Sequence, residues 1–315
     1  MKQVVLYFPG QGAQQVGMLA DLAEQYPIIK ETFAQASAAI DQDLWALIQN
    51  GPAEELNLTY NTQPAIVTAS AAIWNVIQQE CGESISVIAA AGHSVGEYSA
   101  LYAAGVLSLQ DAVRLVKKRG ELMDTAVPAG EGGMAAILGL DSEQIKQVCL
   151  DASIAGIVEP ANFNAPGQIV IAGTAAGIKQ ACITAKEAGA KRALPLQVSG
   201  PFHSSLMRQA AEPFVTALEG VEWSEAKFDI YHNANNSISA AADMKQRLVE
   251  QLYSPVNWIG AVEASCGNAE LAIEVGPGKV ISGLNKRINK SMTTMATGDV
   301  ASFEKMLAAI KSTDS

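Results

Sequence analysis

The sequence predicts an α/β fold whose mainly parallel sheet is covered by helices on both faces. Short apolar runs alternate with helix-like stretches over residues 1–127, a pattern typical of parallel strands joined by helical crossovers. A glycine-rich stretch at 127–133 interrupts this pattern, and a second set of strands and helices follows it. We therefore expect a large domain formed by residues 1–127 and 198–315, with an inserted subdomain at 128–197.

The large domain is expected to begin with a buried strand at 4–8, where the apolar run stops at Pro9. A second apolar run at 85–91 leads into a helix-like stretch at 97–104. Strands at 229–232 and 269–274 return the chain to this sheet, and residues 312–315 are expected to form a frayed tail. Further helices are expected at 18–25, at 28–39, at 65–79 directly after Gln63-Pro64, and at 109–123.

The inserted subdomain is expected to be ferredoxin-like. Its elements run strand, helix, two strands, helix and strand, which is the ferredoxin-like plan. The strands are expected at 134–140, 157–162, 168–172 and 192–196, and the helices at 142–152 and 175–188.

Composition limits the classes of protein to which the chain can belong. Its 315 residues with 49% hydrophobic content can bury a large core, whereas the net charge of -11 argues against broad nucleic-acid binding. No apolar run approaches the roughly 18 residues of a membrane span, so we expect a cytoplasmic protein that binds no membrane. We also expect a monomer without a permanently bound cofactor. The cysteines are scattered without zinc-like spacing and are expected to be reduced thiols: Cys81, Cys149, Cys182 and Cys266.

The most informative motif is Gly92-His93-Ser94-Val95-Gly96, between the second strand and its helix. A serine flanked by glycines at a sharp strand-to-helix turn is a nucleophile elbow, which exposes the hydroxyl above the sheet edge. The pattern alone is weak, and its position between a strand and a helix gives it weight. It predicts acyl chemistry and an α/β-hydrolase-like large domain.

A serine nucleophile needs a histidine base, and the chain has three histidines. His203 is the best candidate because it lies in a rigid turn at 199–205, just before a helix. His93 is expected to point away from the line of attack on the substrate. His232 ends a predicted strand and has no special surroundings in the sequence.

The acid of an ordinary catalytic triad is missing from the sequence pattern. Asp111, Asp124 and Asp141 lie between Ser94 and His203, but they resemble helix-cap or turn residues. The sequence therefore favours a Ser-His dyad whose imidazole is oriented by something other than a carboxylate, such as a backbone carbonyl.

Acyl transfer also needs N–H donors aimed at the developing oxyanion. The amide of Val95 is one candidate, and the amide of Gln11 in the glycine loop at 8–14 is the other. A phosphate-binding loop is disfavoured there, because Gln15 occupies a required glycine position and no lysine follows. The segment 276–279 does not match the P-loop motif either, since Ile273 occupies the position of the first P-loop glycine.

Seven short motifs extend over nearly the whole chain, and together they are far more specific than any one alone. They are FPGQG at 8–12, GHSVGEYSA at 92–100, RG at 119–120, NFNAPGQ at 162–168, PFH at 201–203, QLYSPV at 251–256 and EVGPG at 274–278. In this order they resemble the signature segments of the malonyl-CoA:acyl carrier protein transacylase family.

The resemblance implies a ping-pong transfer. Ser94 would attack the malonyl thioester of coenzyme A, and the phosphopantetheine thiol of acyl carrier protein would then attack the malonyl-serine. His203 would act as base and then as acid, with its ring oriented by the backbone carbonyl of Gln251. The amides of Gln11 and Val95 would form the oxyanion hole.

The resemblance also implies which residues select the substrate. Arg119 would bind the malonyl carboxylate, because a guanidinium pairs bidentately with a carboxylate. Without the resemblance, the preferred interpretation of Arg119 would be a cation near the C-terminus of a helix. Its interaction with the helix dipole would stabilise the helix by about 0.3 to 1 kcal/mol. Phe202 favours malonyl over methylmalonyl, since its ring fills the space of a methyl branch. His93 and Asn162 would shape the cleft, although turn chemistry explains the Asn-Pro-Gly loop equally well.

The partners implied are malonyl-CoA, as a coenzyme A thioester substrate, and an acidic carrier protein. The carrier would dock on a basic surface for which Lys191, Arg192, Lys286 and Arg287 are candidates, although most basic clusters are solvated helix faces. Fatty-acid synthesis is the expected pathway, and a stand-alone loader of polyketide carrier proteins is the alternative. A serine esterase or thioesterase and a catalytically silent interaction module also remain open.

Overall fold

The structure, a computed structural model, describes residues 1–235, 238 and 241–312. The frayed tail was expected at 312–315, and its residues from 313 onward lie outside the described residues. Two separate sheets organise the described part of the chain, one parallel and one antiparallel. The predicted α/β fold with a mainly parallel sheet is confirmed. In chain order the strands are β1 (Lys2–Phe8), β2 (Ile85–Gly92), β3 (Gly132–Leu138), β4 (Val158–Ala165), β5 (Gln168–Thr174), β6 (Arg192–Pro195), β7 (Asp229–Tyr231), β8 (Leu271–Glu274) and β9 (Thr294–Ala296).

The large sheet places two loops side by side at one edge. Its strand order is β7-β2-β1-β8-β9, and each neighbouring pair of these strands is parallel. Phe8 pairs with Gly92 in the register of β1 and β2, so the loop after β1 begins beside the turn after β2. The carboxyl edge of an open parallel sheet is where such folds bind ligands.

Helices cover both faces of the large sheet, which is why β1 is buried from Val4 to Phe8. The helices expected at 18–25, 28–39, 97–104 and 109–123 lie within two residues of those bounds, whereas the short helices at 44–50 and 53–56 were not predicted. In chain order the helices are α1 (Ala20–Gln25), α2 (Ile28–Ile40), α3 (Leu44–Asn50), α4 (Ala53–Leu56), α5 (Thr59–Cys81), α6 (Gly96–Ala103), α7 (Leu109–Thr125), α8 (Ser142–Ala152), α9 (Ala175–Glu187), α10 (Ala211–Glu219), α11 (Ala241–Tyr253), α12 (Trp258–Ser265), α13 (Val280–Ile288) and α14 (Val300–Lys311).

The start of α5 is the clearest error among the predicted elements. The helix was expected to follow Pro64, yet it begins at Thr59 and contains the proline. Proline inside a helix removes one backbone hydrogen bond and normally ends or kinks it. Here Thr62 Oγ1 donates to the Leu56 carbonyl oxygen (2.6 Å), and nearly the whole helix is buried. Tertiary packing therefore overrides the local signal of the proline.

The small sheet has the order β4-β5-β3-β6, and its neighbouring strands are antiparallel. Its elements agree with the predicted ones to within three residues at each end. Helices α8 and α9 cover it and form an apolar cluster of their own, which includes Ile137, Ile145 and Ile171. The antiparallel sheet thus has a core separate from that of the large sheet.

A short backbone bridge joins β4 to the segment after α11. Val256 donates to the Ala161 carbonyl oxygen, and Phe163 donates to the Val256 carbonyl oxygen, both at 2.9 Å. Arg287 of α13 also donates to the Pro166 carbonyl oxygen (2.6 Å) in the turn between β4 and β5. These contacts hold the small sheet against the carboxyl edge of the large one.

Residues 198–312 contain more structure than the sequence pattern predicted there. Two strands and a helix after the turn at 199–205 were expected, whereas α11 to α14 and the edge strand β9 are also present. Among the described residues, the structure contains no helix with the length and apolar character needed to span a bilayer.

Candidate active site

Ser94 lies in the tight turn between β2 and α6. Its backbone φ is 52°, a left-handed conformation that residues other than glycine rarely adopt. A Cβ at Gly92 would overlap the backbone of Gly96, and a Cβ at Gly96 would overlap the carbonyl of Phe8. Both glycines are therefore required by close backbone contacts, and the turn holds the serine hydroxyl above the sheet edge.

His203 lies directly against Ser94. The Ser94 Oγ is 2.7 Å from His203 Nε2, and His203 Nδ1 is 2.9 Å from the backbone oxygen of Gln251. Because a carbonyl oxygen can only accept, Nδ1 carries the proton and Nε2 is free to accept the proton of the serine hydroxyl. The structure thus brings together the serine, the histidine and the backbone carbonyl that the sequence suggested.

The surroundings of His203 favour the neutral imidazole. Burial lowers the pKa of His203 to about 3, and the nearby Arg119 guanidinium acts in the same direction. The hydrogen bond to the Gln251 carbonyl opposes this shift and is the weaker influence. The ring is therefore unprotonated near neutral pH, as a general base must be.

Arg119 points into the site from α7 and is 1% exposed. Its Nη1 donates to Gln63 Oε1 (2.8 Å), while its Nη2 donates to Gln251 Oε1 (2.8 Å) and to Ser94 Oγ (3.2 Å). Burial lowers the pKa of this guanidinium, but an arginine keeps its charge at any ordinary pH. A helix C-terminal cation, which the residue pattern alone favoured, is the wrong description, because Arg119 donates to side chains of the site and lies before the last turn of α7.

A cavity of about 120 Å³ opens beside Ser94. Among the described residues, the backbone N–H groups of Gln11 and Val95 have no protein acceptor, and both residues line this cavity. The remaining wall combines apolar with polar side chains. The lining includes Gln63, His93, Arg119, Met123, Met134, Asn162, Leu196, Val198, Phe202 and His203.

The remaining predicted cleft residues lie at this cavity as well. Phe202 is buried directly before the histidine, and Asn162 faces the cavity from β4. His93 Nε2 is 2.8 Å from Asn164 Oδ1 in the small sheet, and His93 also lines the cavity. Burial lowers the pKa of His93.

A buried polar network behind the elbow was not predicted. Glu97 and His232 are fully buried, and His232 Nδ1 lies 2.5 Å from Glu97 Oε1. Asn233 Oδ1 accepts from the Ser94 amide (2.7 Å), and Asn233 Nδ2 donates to the Gly92 carbonyl (2.6 Å). The expectation that His232 has no special surroundings is therefore wrong. No local pattern links Glu97 to His232, although an acid directly after the elbow was visible in the sequence.

Comparisons with known proteins agree with this site. A family model described as an acyl transferase domain matches residues 5–296. The malonyl CoA-acyl carrier protein transacylase of Salmonella typhimurium is 49% identical over 309 residues, covering 98% of this chain and 99% of the relative. The chain belongs to the malonyl-CoA:acyl carrier protein transacylase family. The relative of that name from Bacillus subtilis is 46% identical over 314 residues, covering 99% of this chain and 98% of the relative.

Solved structures of transacylases have the same fold. An acyl carrier protein S-malonyltransferase from Vibrio cholerae superposes with a TM-score of 0.92 at 48% identity, covering 97% of this chain and 100% of that one. A malonyl-transacylase in complex with a type II PKS acyl-carrier protein superposes with a TM-score of 0.94 at 45% identity. That match covers 98% of this chain and 100% of the other.

The four basic candidates for carrier docking differ in their surroundings. Lys191, Arg192, Lys286 and Arg287 are all exposed. Arg287 donates hydrogen bonds to Gln168 Oε1 (2.5 Å) and to the Pro166 carbonyl oxygen. It therefore already connects α13 to the small sheet. Lys286 lines a surface depression of about 500 Å³ together with Lys279 and Lys290.

The three acids weighed against a dyad lie in capping or surface contacts. Asp141 caps α8 in a reciprocal pair with Gln144, and Asp111 bonds Ser108, the cap of α7. Asp124 accepts from the Ser199 hydroxyl. Within the described residues, no group of three or more His, Cys, Asp or Glu side chains could hold a metal ion, and the four cysteines are free thiols.

Proposed function

We propose that this chain transfers the malonyl group of malonyl-CoA to the phosphopantetheine thiol of an acyl carrier protein through a malonyl-Ser94 intermediate. One observation carries the proposal. Ser94 Oγ lies 2.7 Å from the base nitrogen of His203 and 3.2 Å from Nη2 of the buried Arg119. The first contact supports acyl transfer, and the second supports selection of an acyl group that bears a carboxylate. The names of the curated relatives support the same reaction.

In the first half-reaction, Ser94 Oγ forms an ester bond with the malonyl carbonyl carbon. His203 Nε2 takes the hydroxyl proton as this bond forms, and the Gln251 carbonyl stabilises the imidazolium through Nδ1. The carbon–sulfur bond of the thioester then breaks, and His203 returns the proton to the coenzyme A thiolate.

In the second half-reaction, the carrier thiol gives its proton to His203 and attacks the ester carbon. A thioester forms, the bond to Ser94 Oγ breaks, and His203 returns the proton to the serine. The low pKa of His203 keeps the ring neutral before each step, and the imidazolium formed within a step returns its proton to the leaving group.

The negative charge on the carbonyl oxygen would be stabilised by the backbone amides of Gln11 and Val95. The free N–H groups at the cavity support this role, since oxyanion donors must be available when the charge develops. Loss of one such donor typically slows an enzyme about 100- to 1000-fold.

The malonyl carboxylate would be bound by Arg119. The hydrogen bond to Ser94 Oγ directs one N–H of this guanidinium towards the acyl position, and burial strengthens any charge pair formed there. Gln63 and Gln251 fix the remaining orientation of the group. An acetyl group offers Arg119 no partner, so malonyl should be strongly preferred.

The cleft residues would set the shape of the acyl pocket. We propose that Phe202 excludes a methyl branch, and that Asn162 and His93 hold the cavity at the junction of the two sheets. The bond between His93 and Asn164 supports the last role, because it joins the elbow to the small sheet.

Carrier docking would use the exposed basic residues Lys191, Arg192, Lys286 and Arg287. Charge reversal of Lys286 and Arg192 should raise the Michaelis constant for acyl carrier protein and leave that for malonyl-CoA unchanged. Lys30→Glu on α2 is the matched control, since Lys30 is exposed and α2 packs mainly against α5 and α7. An unchanged Michaelis constant for the carrier would place docking on another surface.

We further propose the finer description of the fold. The strand-turn-helix context of Ser94 supports an α/β-hydrolase-like large domain, formed by residues 1–127 and 198–315. The element order and the sheet order β4-β5-β3-β6 support a ferredoxin-like subdomain at 128–197.

A second candidate carrier has a specific observation in its favour. The similar malonyl-transacylase in complex with a type II PKS acyl-carrier protein makes loading of polyketide carriers a rival to the supply of fatty-acid synthesis. Transfer rates to one carrier protein of each kind would decide between them.

Intact mass after mixing with malonyl-CoA tests the proposal directly. A stable malonyl adduct that is absent from Ser94→Ala would support transfer through Ser94. Rapid release of free malonate would instead support a hydrolase, and the absence of any adduct would support a silent interaction module.

A further inference from the structure

Glu97 is a fully buried carboxylate at the start of α6, directly behind the elbow. Its Oε1 lies 2.5 Å from His232 Nδ1, and its Oε2 accepts from the Asn233 amide (3.1 Å) and from Gln251 Nε2 (2.7 Å). A buried carboxylate is costly unless it is paired and hydrogen-bonded, so these partners are essential to it. The residue is absent from the wall of the substrate cavity.

Gln251 connects Glu97 to the reacting groups. Its Nε2 donates to Glu97 and to the Ser94 carbonyl (3.0 Å), and its Oε1 accepts from Arg119 Nη2 (2.8 Å). Its backbone oxygen accepts from His203 Nδ1. One residue therefore touches the base, the cation and the backbone of the serine.

Glu97, together with the Ser94 carbonyl, determines which way the Gln251 carboxamide faces. A carboxylate only accepts hydrogen bonds, so it draws the NH₂ group of the carboxamide to its own side. The oxygen of the carboxamide is then left facing Arg119, which only donates. Without Glu97, the NH₂ group of the carboxamide would keep only the Ser94 carbonyl as its acceptor, at the longer distance of 3.0 Å.

We infer that Glu97 is a positioning residue for substrate selection: through the carboxamide of Gln251 it fixes the guanidinium of Arg119 and so maintains the preference for malonyl over acetyl. This role rests on the proposed function of Arg119. It requires no contact between Glu97 and the substrate.

Two variants separate the hydrogen-bond geometry of Glu97 from its charge. Glu97→Gln keeps the length of the side chain and removes the charge. Its oxygen should face Gln251 and Asn233, where two donors require an acceptor, and its NH₂ group can donate to a neutral His232 Nδ1. Glu97→Asp keeps the charge but withdraws the carboxylate by one carbon–carbon bond, about 1.5 Å.

The measurement is the ratio of kcat/KM for malonyl-CoA to that for acetyl-CoA. A misfolded fraction of the sample lowers both rates equally and cancels in this ratio. We expect Glu97→Asp to lower the ratio about tenfold through the lost hydrogen bond, and Glu97→Gln to keep it within about threefold of the wild type. An unchanged ratio in Glu97→Asp would overturn the inference. A loss in Glu97→Gln alone would also overturn it, because that result would assign the effect to charge. So would an equal loss in both variants, because the hydrogen-bond geometry kept in Glu97→Gln would then not maintain the preference.

Arg119→Ala serves as the reference for the same ratio. If Arg119→Ala leaves the ratio unchanged, the proposed function of Arg119 fails and the inference with it. If Arg119→Ala removes the malonyl preference while Glu97→Asp keeps it, only the role of Glu97 fails.

Discussion

The two sheets contribute different things to one cavity. The parallel sheet brings Gln11, Ser94 and Val95 to its carboxyl edge, because β1 and β2 are neighbours and their following loops lie side by side. The antiparallel sheet contributes side chains of the wall, such as Met134 and Asn162. Backbone amides and the start of a helix converge at a parallel edge, which suits developing negative charge. Changes on the large-sheet side should therefore abolish the reaction, and changes on the small-sheet side should adjust it.

The largest effect is expected for Ser94→Ala. Removing the hydroxyl leaves no atom to carry the acyl group, so the rate should fall roughly 10⁴-fold or more. The malonyl adduct in the intact mass should disappear. Ser224→Ala is the matched control, since Ser224 is exposed and distant in sequence from the elbow. An adduct of normal stoichiometry in Ser94→Ala would contradict the assignment.

A glycine pair sharpens the comparison of the two sheets. A Cβ at Gly92 would overlap backbone atoms, so Gly92→Ala should destabilise the fold by about 1 to 3 kcal/mol or more. Gly133 in β3 of the small sheet has no atom within 4 Å of a Cβ position, so Gly133→Ala should be neutral or stabilising by up to about 1 kcal/mol. Thermal unfolding of both variants measures the difference. Similar melting temperatures would show that the elbow tolerates a side chain.

Arg119→Ala should lower malonyl transfer far more than acetyl transfer. Losing an enclosed guanidinium–carboxylate pair costs roughly 2 to 5 kcal/mol, and acetyl has no carboxylate to lose. Arg119→Lys is the companion variant, because it keeps the charge and loses the planar fork. Transfer rates with both thioesters provide the measurement. Equal losses for the two acyl groups would remove Arg119 from substrate selection.

The pH dependence should reveal the depressed pKa of His203. Because burial holds this pKa near 3, kcat/KM should stay level well below pH 6.5, the ordinary value for histidine. Between about 6.5 and 3 the unfolded chain binds a proton at His203 that the folded chain does not bind. The free energy of unfolding from this group should therefore fall as the pH is lowered through that window. His203→Gln should lack this component, and an activity break near pH 6.5 would contradict the burial argument.

The smallest effect is expected for Asn162→Ala on the small sheet. This residue lines the cavity and, among the described residues, makes no hydrogen bond to Ser94 or His203, so kcat/KM should fall by less than about tenfold. The malonyl adduct on Ser94 should still form at full stoichiometry. A loss comparable to that of Ser94→Ala would mean that the small sheet takes part in the chemistry.

Local patterns predicted the fold well where periodicity and glycine decide the conformation. The elements of the small sheet and the turn at Ser94 follow from short stretches of sequence. The start of α5 did not, because its buried surroundings override the effect of Pro64. The helices from α11 onward were also missed, since their burial depends on the sheet beneath them.

The sequence by itself determined the elbow, the glycines that allow it and the family to which the chain belongs. Tertiary structure decided what the elbow faces. Arg119 became a cation aimed at Ser94 because α7 packs against α5, and His232 became the partner of Glu97, 135 residues away. Steric limits on a turn act between neighbours in the chain and can be recognised in the sequence. Burial, pKa and charge pairing depend on residues that only folding brings together.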